Sequence, residues 1–381
     1  MLAFHGRSNP GAVPSLVLGL VLALGACSDR AATPQDTGPI WPDTFIDAAT
    51  DSAVKVDVAA DQAAPDGGLA DAADASTADA GPATGWTLVK PTFPLTADLH
   101  GIACVSGNVY AVGDSGTVIH NNTTTGKGFS KQSISTTANL HTISFADLTY
   151  GVAAGEDPQI WQTQDTGLIW SVANQCSAYI FKTFYALHLY SASEGFGAGE
   201  ASGNAGAGAK YYAGYSWVCT SPTYPGEVFY DVFRLKDSGW SVGDTKGKIY
   251  TSTDMGLTWT SVSAGTTEVL RGVHFTSAAQ GVAVGAKGAI VRSTDGLGKV
   301  WGAVTAPTGE ELWDVSFHSA QNGWAVGANG TVLQTTDGGK TWTKQASPTS
   351  ARLEAVCFTS ASEGFAVGEK GTILHTTTGG L

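Results

Sequence analysis

Two aspartates in this sequence are candidates for acid–base chemistry. Asp231 and Asp314 occupy the same place in two similar segments, Phe229-Tyr230-Asp231 and Leu312-Trp313-Asp314. Two carboxyl groups about 6.5–9.5 Å apart can hydrolyse a glycosidic bond with inversion, one as general acid and the other as general base. The pair therefore keeps open a glycoside hydrolase, or a carbohydrate-binding protein, that acts on an extracellular polysaccharide.

The residues one position earlier favour binding over catalysis. In seven similar segments this position varies among polar, aromatic and charged types, whereas the hydrophobic frame around it repeats closely. Tyr, Trp and Arg are the side chains that most often dominate the binding energy of protein interfaces. We therefore interpret the following seven residues as a binding surface: His100, His141, Tyr185, Tyr230, Arg271, Trp313 and Glu354.

The seven segments belong to a repeat of about forty residues. Its frame is Leu-x-x-Val-x-Phe, then Gly-x-Ala-Val-Gly, then Gly-x-Ile, and the clearest copies begin at Leu270, Leu312 and Leu353. Each run suits a short strand that ends at a glycine-containing turn, so one repeat predicts a four-stranded antiparallel sheet. Seven repeats predict an all-β fold, a seven-bladed β-propeller over residues 85–381. The glycine that closes the second strand recurs at positions 113, 155, 199, 243, 285, 327 and 368.

The two ends of this region predict how the ring closes. The last repeat stops after its third strand, whereas residues 85–89 (Gly-Trp-Thr-Leu-Val) resemble a fourth strand and precede the first repeat. We expect this N-terminal strand to complete the C-terminal blade, because closure removes exposed sheet edges. The candidate binding residues would then meet at the mouth of a central channel. The Gly- and Ala-rich segment Glu200–Lys210, on the same side, is expected to be a mobile loop.

The turn between the third and fourth strands carries a second motif, [Ser/Thr]-x-Asp-x-Gly-x-Thr-Trp. It is clearest at Ser252–Trp259 and Thr335–Trp342, and looser at Thr163–Trp170. The hydroxyl and the Asp carboxylate can accept hydrogen bonds from N–H groups of their own turn, and Gly takes the left-handed conformation. We therefore predict that these aspartates stabilise turns.

The repeats resemble those of the Asp-box (BNR) families, which include sialidases, xyloglucanases and sortilin ectodomains. Their Gly-x-x-Ala-Val-Gly and Asp-Gly-Gly-x-Thr-Trp cadence is most similar to the photosystem II assembly and stability factor family and its non-photosynthetic bacterial relatives. The resemblance covers residues 85–381 and implies a non-enzymatic assembly factor that binds a membrane-protein partner through an Arg-rich patch. The four arginines of this region are spread over three repeats and lie at different strand positions: Arg234, Arg271, Arg292 and Arg352.

Residues 1–26 are typical of an export signal, with Arg7 followed by the apolar run Val17–Leu24. The sequence Leu24-Gly25-Ala26-Cys27 resembles the bacterial lipobox, which implies cleavage before Cys27 and acylation of its thiol. Several acyl chains on one cysteine would form a durable membrane anchor. The resemblance therefore predicts a lipid-anchored protein of the cell envelope, and Ser28 favours the outer membrane. An ordinary cleaved signal followed by an incidental cysteine is the alternative.

Residues 27–84 predict a disordered, acidic tether. This segment has eleven Asp against Arg30 and Lys55, and too few large apolar residues to offset the entropy of ordering the chain. The propeller region shows no basic stripe, so nucleic acid is not expected as a partner. The expected partner is a protein of the envelope or membrane.

The remaining four cysteines are consistent with export to an oxidising compartment. Cys176 and Cys219 lie in or after the outer strands of adjacent repeats, so a bridge between them is possible, with buried free thiols as the alternative. Cys104 and Cys357 lie in neighbouring first strands, but one register apart. No Cys or His spacing indicates a metal site, and nothing in the sequence indicates a cofactor.

Overall fold

The computed structural model describes residues 85–122, 128–156, 159–173, 181–201, 205–212, 216–225, 227–256, 258–295 and 298–381. The predicted signal peptide (1–26), the predicted tether (27–84) and Cys27 lie outside the described residues. Cys176 lies outside them as well.

Seven four-stranded antiparallel sheets form the described structure, and the predicted seven-bladed β-propeller is therefore confirmed. Blades are numbered along the chain, and each begins at its innermost strand. The strands of blades 1 to 3 are β2 (Leu99–Val105), β3 (Asn108–Gly113), β4 (Thr117–Asn122), β5 (Ser130–Gln132), β6 (Leu140–Phe145), β7 (Gly151–Gly155), β8 (Ile160–Thr163), β9 (Ser171–Val172), β10 (Phe181–Ser191), β11 (Glu194–Ala201), β12 (Ala205–Tyr212) and β13 (Ser216–Pro225).

Blades 4 to 6 repeat the pattern with the strands β14 (Phe229–Leu235), β15 (Ser238–Gly243), β16 (Lys248–Ser252), β17 (Thr260–Ser263), β18 (Leu270–Ser277), β19 (Gln280–Gly285), β20 (Ile290–Ser293), β21 (Trp301–Val304), β22 (Leu312–Phe317), β23 (Gly323–Gly327), β24 (Val332–Thr335) and β25 (Thr343–Lys344). Blade 7 consists of β26 (Leu353–Phe358), β27 (Gly364–Gly368), β28 (Thr372–Thr376) and β1 (Thr87–Leu88). Among the described residues, short 3-10 turns follow second strands at Asp114–Gly116, Ala286–Gly288, Ala328–Gly330 and Glu369–Gly371.

The repeated glycine at the end of the second strand follows from a close approach of two backbones. A Cβ on Gly285 or Gly327 would overlap the carbonyl oxygen of the residue that precedes the innermost strand of the same blade. The chain then turns through Asn329 and Gly330, whose φ angles are 53° and 64°. Because L-residues with side chains rarely adopt positive φ, the second glycine of the Gly-x-x-Gly pattern eases this turn.

Aromatic side chains join each blade to the next. Trp324 of blade 6 stacks on Phe358 of blade 7 with ring centroids 3.4 Å apart, and Trp240 of blade 4 stacks on Phe275 of blade 5 at 3.7 Å. All four rings are buried. The Trp of the Asp-box motif packs in a T-shaped contact with the Phe at the end of the innermost strand, as Trp301 does with Phe275 in blade 5. Separating two blades would therefore expose large aromatic surfaces.

The Asp-box turns have the structural role that the sequence predicts. The Thr335 hydroxyl donates to Asp337 Oδ1 at 2.8 Å and accepts from the amide of Gly339 at 2.9 Å. Asp337 Oδ2 accepts from the Thr341 hydroxyl at 2.6 Å. Burial would raise the pKa of Asp337, but these hydrogen bonds lower it to about 2. The turns of blades 2 and 4 show the same hydroxyl-to-glycine bond, which confirms the prediction.

In the seventh sheet, β1 pairs antiparallel with β28. Trp86 takes the place that the Asp-box Trp holds in other blades: its indole N–H donates to Gln345 Oε1 at 2.8 Å, and its ring meets the edge of Phe358 at 5.8 Å. The hydroxyl of Thr376 accepts from the amide of Gly380 at 2.8 Å, as Thr335 does in blade 6. The first and last described strands therefore share one blade.

Cys104 on β2 and Cys357 on β26 form a disulfide with Cα atoms 5.7 Å apart. Their offset of one residue in the repeat argued against a bond between them, and that expectation was wrong. Innermost strands of neighbouring blades are staggered by one residue throughout, as the bond from the Val273 amide to Asp231 of the preceding blade shows. The offset therefore brings the two cysteines together. A Cys176–Cys219 bridge stays a prediction, because Cys176 lies outside the described residues.

The expected mobile loop in blade 3 is a second correction. β11 extends to Ala201 and β12 begins at Ala205, so most of segment 200–210 belongs to a paired hairpin. Gly208 lies opposite Ala198 in this ladder. The Gly and Ala content of segment 200–210 indicated mobility, but pairing with the neighbouring strands outweighed the low strand propensity of these residues.

Candidate binding site at the channel mouth

All seven predicted binding residues meet at one end of the central channel. Each is the extra residue of a β-bulge, because the register between the first two strands of every blade shifts at that position, as between Leu312 and Asp314. A bulge turns a side chain away from the regular alternation and is common beside functional sites. We call these seven residues the mouth ring: His100, His141, Tyr185, Tyr230, Arg271, Trp313 and Glu354. They enclose the entrance to a cavity of about 330 Å³.

Rings of blades 1 to 4 touch in sequence around the mouth. The centroids of His100 and His141 are 5.1 Å apart, and those of His141 and Tyr185 are 5.4 Å apart. Tyr185 meets the edge of Tyr230 at 5.8 Å. Burial raises the pKa of both tyrosines, so their hydroxyls remain protonated at neutral pH. This half of the mouth ring presents aromatic edges and hydroxyl groups.

The other half alternates aromatic rings and guanidinium groups. The Arg271 guanidinium lies 4.6 Å from the centroid of Tyr230 and 4.6 Å from that of Trp313. Arg352 approaches Trp313 at 4.6 Å, and its Nη2 lies 2.6 Å from Glu354 Oε1. Cation–π contacts of this kind hold both partners in fixed orientations. Arg352 was absent from the sequence-based set because it precedes the frame residue Leu353 rather than following it.

His100 closes the mouth ring electrostatically. Its Nδ1 lies 2.8 Å from Glu354 Oε2, and its Nε2 lies 2.9 Å from Asp114 Oδ1. Burial alone would lower the pKa of His100, but hydrogen bonds to these two carboxylates raise it to about 9. Burial and the neighbouring charge of His100 lower the pKa of His141. A charged imidazolium therefore lies beside a neutral imidazole at neutral pH. Asp114 was not found from the sequence, because it lies in a turn outside the repeated frame.

Asp231 and Asp314 lie one layer below the mouth and also line the cavity. The Asp314 carboxylate accepts from the amide of Val315 at 2.7 Å and from the amide of Val356, in the next blade, at 2.8 Å. Asp231 makes the same pair of bonds, to its own strand and to blade 5. Burial raises the pKa of Asp314 to about 6, and burial together with the charge of Asp314 raises that of Asp231. Both carboxylates thus bridge adjacent blades, a geometry that accounts for them without catalysis.

Among the residues that the structure describes, no group of three or more His, Cys, Asp or Glu side chains is placed to hold a metal ion. In the same part of the chain, no helix is long and apolar enough to cross a membrane.

These features define a seven-bladed propeller with Asp-box turns and a built channel mouth. Residues 295–381 match the family described as Photosynthesis system II assembly factor YCF48, so the resemblance expected from the motifs is confirmed over that segment. No curated protein sequence matches the chain.

Solved structures with the same fold include two of the YCF48 type. YCF48 from Cyanidioschyzon merolae is 17% identical, with a TM-score of 0.62 over 77% of this chain and 98% of that one. YCF48 bound to D1 peptide is 19% identical, with a TM-score of 0.63 over 78% and 99%. A catalytically inactive virginiamycin B lyase from Staphylococcus aureus with quinupristin is 13% identical, with a TM-score of 0.61 over 77% and 98%. At these identities the likeness concerns the fold.

Proposed function

We propose that this protein is a non-enzymatic scaffold that binds a protein partner at the mouth ring, while a lipid on Cys27 holds it at the cell envelope. The arrangement of side chains in the mouth ring is the observation that supports this proposal. Seven side chains that are free to vary in the repeat are all turned inward by bulges. Their contacts run around the mouth, with Arg352 between Trp313 and Glu354. Preorganised aromatic and Arg side chains lose little conformational freedom on binding, which favours affinity.

The comparison with YCF48 supports a protein as the partner. One structure of that type holds a D1 peptide, and the family matches residues 295–381 of this chain. This segment includes blade 7, which contributes Glu354 and Arg352 to the mouth. The partner proposed here is a protein of the envelope or membrane, recognised through the aromatic and guanidinium half of the mouth ring.

The hydrolase alternative has less support from the geometry. Both candidate carboxylates already accept two backbone N–H groups each, and both are buried below the mouth ring. A screen for hydrolysis of a polysaccharide panel tests this alternative directly. Turnover that disappears in Asp231→Asn and Asp314→Asn would replace the scaffold proposal.

The central experiment compares affinity capture from solubilised envelope by the full chain and by the triple variant Tyr230→Ala, Arg271→Ala, Trp313→Ala. We expect the triple variant to lose at least tenfold of the captured partner, because it removes the alternating stack. The matched control replaces three exposed outer-strand residues, Lys131→Ala, Thr260→Ala and Lys344→Ala, and should capture as the native chain does. Circular dichroism and melting temperature check that both variants fold.

Equal capture by the native chain and the triple variant would contradict binding at the mouth ring. The lipid anchor is tested separately by metabolic labelling with a radioactive fatty acid. We expect the label on the native chain and none on Cys27→Ser, and a labelled Cys27→Ser variant would contradict the anchor.

A further inference from the structure

The cavity below the mouth ring contains negative charge without a counter-ion. Below the ring, the ionisable side chains that line it are Asp231, Asp314, His188 and His274. Burial lowers the pKa of His188 to about 4 and that of His274 to about 3, so both imidazoles are neutral at pH 7. Burial raises the pKa of Asp314 to about 6, which leaves this carboxylate ionised at the same pH. Among the described residues, this part of the cavity therefore has acidic groups and no cation.

The cations of the mouth ring already have acidic partners of their own. Arg271 pairs with Glu311 at 2.9 Å, and His100 is held between two carboxylates. The influences that lower the pKa values of Asp231 and Asp314 are backbone hydrogen bonds, and none of the described cations lowers either value. A ligand that brings positive charge below the mouth ring would therefore meet two carboxylates that lack an ionic partner.

Bridging between blades does not require these charges. In blade 2, the hydroxyl of Thr142 accepts from the amide of Leu187 in blade 3 at 2.9 Å, much as Asp314 accepts from the amide of Val356 at 2.8 Å. A neutral hydroxyl thus joins blades as the carboxylates do, and a buried carboxylate is far more costly to desolvate. A carboxylate has about four lone-pair sites, and backbone amides occupy two of them in each aspartate. The charge and the remaining sites favour a cationic donor in the cavity.

His274 supplies a further acceptor in the same sector of the channel. It lies in blade 5, between the blades that carry Asp231 and Asp314, and its ring packs against phenylalanine rings of blades 4 and 6. Among the described residues, no group hydrogen-bonds with this imidazole. A neutral imidazole has one nitrogen that accepts a hydrogen bond. Blades 4 to 6 therefore offer two carboxylates and an unpartnered imidazole to the cavity.

The spacing of these acceptors suits an extended organic cation better than a metal ion. A metal ion needs its ligands within about 2.6 Å of one point, and the described residues include no group of three or more His, Cys, Asp or Glu that meets this need. His274 lies deeper in the channel than the aspartates, by about 7 Å at 3.3 Å per strand residue. A charged head on a flexible stem can reach separated acceptors. The cavity volume of about 330 Å³ is sufficient for such a small ligand group.

The aromatic half of the mouth ring lies directly above the aspartates. Tyr230 precedes Asp231 and Trp313 precedes Asp314 in the chain, so each carboxylate is one residue below an aromatic ring. The alkyl stem of a lysine packs along apolar and aromatic surface while its charged head reaches polar groups. An ammonium head is compact, whereas a guanidinium is a wider planar fork. A lysine side chain therefore fits the path from the mouth ring to the carboxylates.

We propose that the cavity binds an alkylammonium group, namely a lysine side chain that the protein partner inserts through the mouth ring, with Asp231 and Asp314 as its counter-ions and His274 as an acceptor at the floor. This inference rests on the proposed binding of a protein at the mouth ring and names the group that enters it. The stem of the lysine packs between Tyr230 and Trp313, and its ammonium supplies the positive charge that the described lining of the cavity lacks.

The first test does not depend on the partner. The full chain is titrated calorimetrically with n-butylammonium, which reproduces a lysine side chain, and with butan-1-ol, which has the stem without the charge. We expect saturable binding of the amine and about tenfold weaker binding of the alcohol. The double variant Asp231→Thr, Asp314→Thr should bind the amine about tenfold more weakly, while its hydroxyls bridge blades as Thr142 does. Lys344→Ala, on an exposed outer strand, should bind as the native chain does.

A second variant keeps this test decisive if the double variant unfolds. His274→Phe copies the residue that blade 4 has at the same place, Phe233, and it removes no hydrogen bond among the described residues. We expect its affinity for n-butylammonium to fall about threefold, the loss of one modest hydrogen bond. Melting temperatures confirm that each variant is folded. A native chain that does not bind the amine, or that binds the alcohol equally well, would overturn the proposal.

The second test connects the cavity to the partner. Capture from solubilised envelope is repeated with saturating n-butylammonium or butan-1-ol at matched ionic strength, and with the double variant Asp231→Thr, Asp314→Thr. We expect the amine and the double variant each to reduce capture about tenfold, and the alcohol to leave it unchanged. Amine binding without any effect on capture would assign the cavity to a free amine and overturn the partner's lysine.

Failure of this inference and failure of the proposed function give different results. Capture that is lost in the triple mouth-ring variant but kept in the double variant would retain the scaffold and overturn the inserted lysine. If the native chain captures no protein while it binds n-butylammonium, the scaffold proposal fails and the cavity remains an alkylammonium site.

Discussion

The ring is held together differently at its closing junction than at the junctions inside the repeat. Between blades 4 and 5, and between blades 6 and 7, a buried aspartate accepts backbone N–H groups from both sides. Between blades 2 and 3, the Thr142 hydroxyl accepts from the amide of Leu187 at 2.9 Å. Between blades 7 and 1, the link is the disulfide Cys104–Cys357 together with the His100–Glu354 contact.

An odd number of blades explains this difference. The layer below the mouth ring is polar in blades 2, 4 and 6 (Thr142, Asp231 and Asp314) and small in the other blades (Gly101, Ala186, Gly272 and Ala355). A Cβ on Gly272 would lie 3.0 Å from the Cα of Asp314, so a small residue makes room for the next blade. In a ring of seven, the alternation must place two small residues side by side. They are Ala355 and Gly101, which meet where the disulfide lies.

Removing the disulfide should cause the largest loss of stability, because it acts at the closing junction. Cys104 and Cys357 are 253 residues apart, and the chain-entropy account assigns about 5.5 kcal/mol to closing so long a loop. We expect the variant Cys104→Ser, Cys357→Ser to lose unfolding free energy of that order in guanidinium titrations. Lys344→Ala, on an exposed outer strand, serves as the control. A double variant as stable as the native chain would show that aromatic packing closes the ring without the disulfide.

His100 should make the closing junction weaken in alkali. Its pKa in the folded protein, about 9, exceeds the ordinary value of 6.5, so the stabilisation is complete below pH 6.5 and is lost as the pH rises through 9. The shift corresponds to at most about 3 kcal/mol. The stability difference between the native chain and His100→Gln should therefore be largest at pH 6 and shrink at pH 10. A difference that does not change with pH would exclude an ion pair at this junction.

Asp314 should also lose stability as the pH rises, but at an interior junction and over a more acidic range. Burial raises its folded pKa from 3.8 to about 6, so the ionised carboxylate costs stability that is absent below pH 3.8 and fully present above 6. Asp314→Asn should therefore be destabilising at pH 4 and up to about 3 kcal/mol less so at pH 7. Urea titrations at both pH values measure this. Equal losses at the two pH values would mean that the carboxylate titrates normally.

Much of this molecule could be predicted from the repeat. The glycine spacing, the Phe and Trp positions and the Asp-box turns predicted the number of blades, because each of these residues satisfies a local requirement that every blade shares. The mouth ring could also be predicted, since its members break a pattern that is otherwise kept. Arg352 and Asp114 could not, because they precede the innermost strand or lie in a turn outside the repeated frame. The closed ring then brings their partners Glu354 and His100 together.

The cysteines show where prediction failed, and the aspartate pair shows contacts that the repeat did not predict. An alignment of the repeats places equivalent positions side by side. In the fold, neighbouring innermost strands are offset by one residue, and this offset brings Cys357 to Cys104. The same alignment made Asp231 and Asp314 look like a matched acid and base. In the folded ring each one instead accepts amides that the innermost strands would otherwise leave without strand partners.

The sequence by itself determined the propeller, its blade number and the residues of its mouth, because periodic hydrophobic, glycine and Asp-box positions act within single blades. The tertiary structure decided that Cys104 pairs with Cys357 and which charges surround His100. Those properties depend on the stagger between blades and on the two ends of the chain meeting in one sheet. The Cys104–Cys357 and His100–Glu354 contacts join residues more than 250 positions apart, and no local pattern predicts which side chains meet across the closing junction.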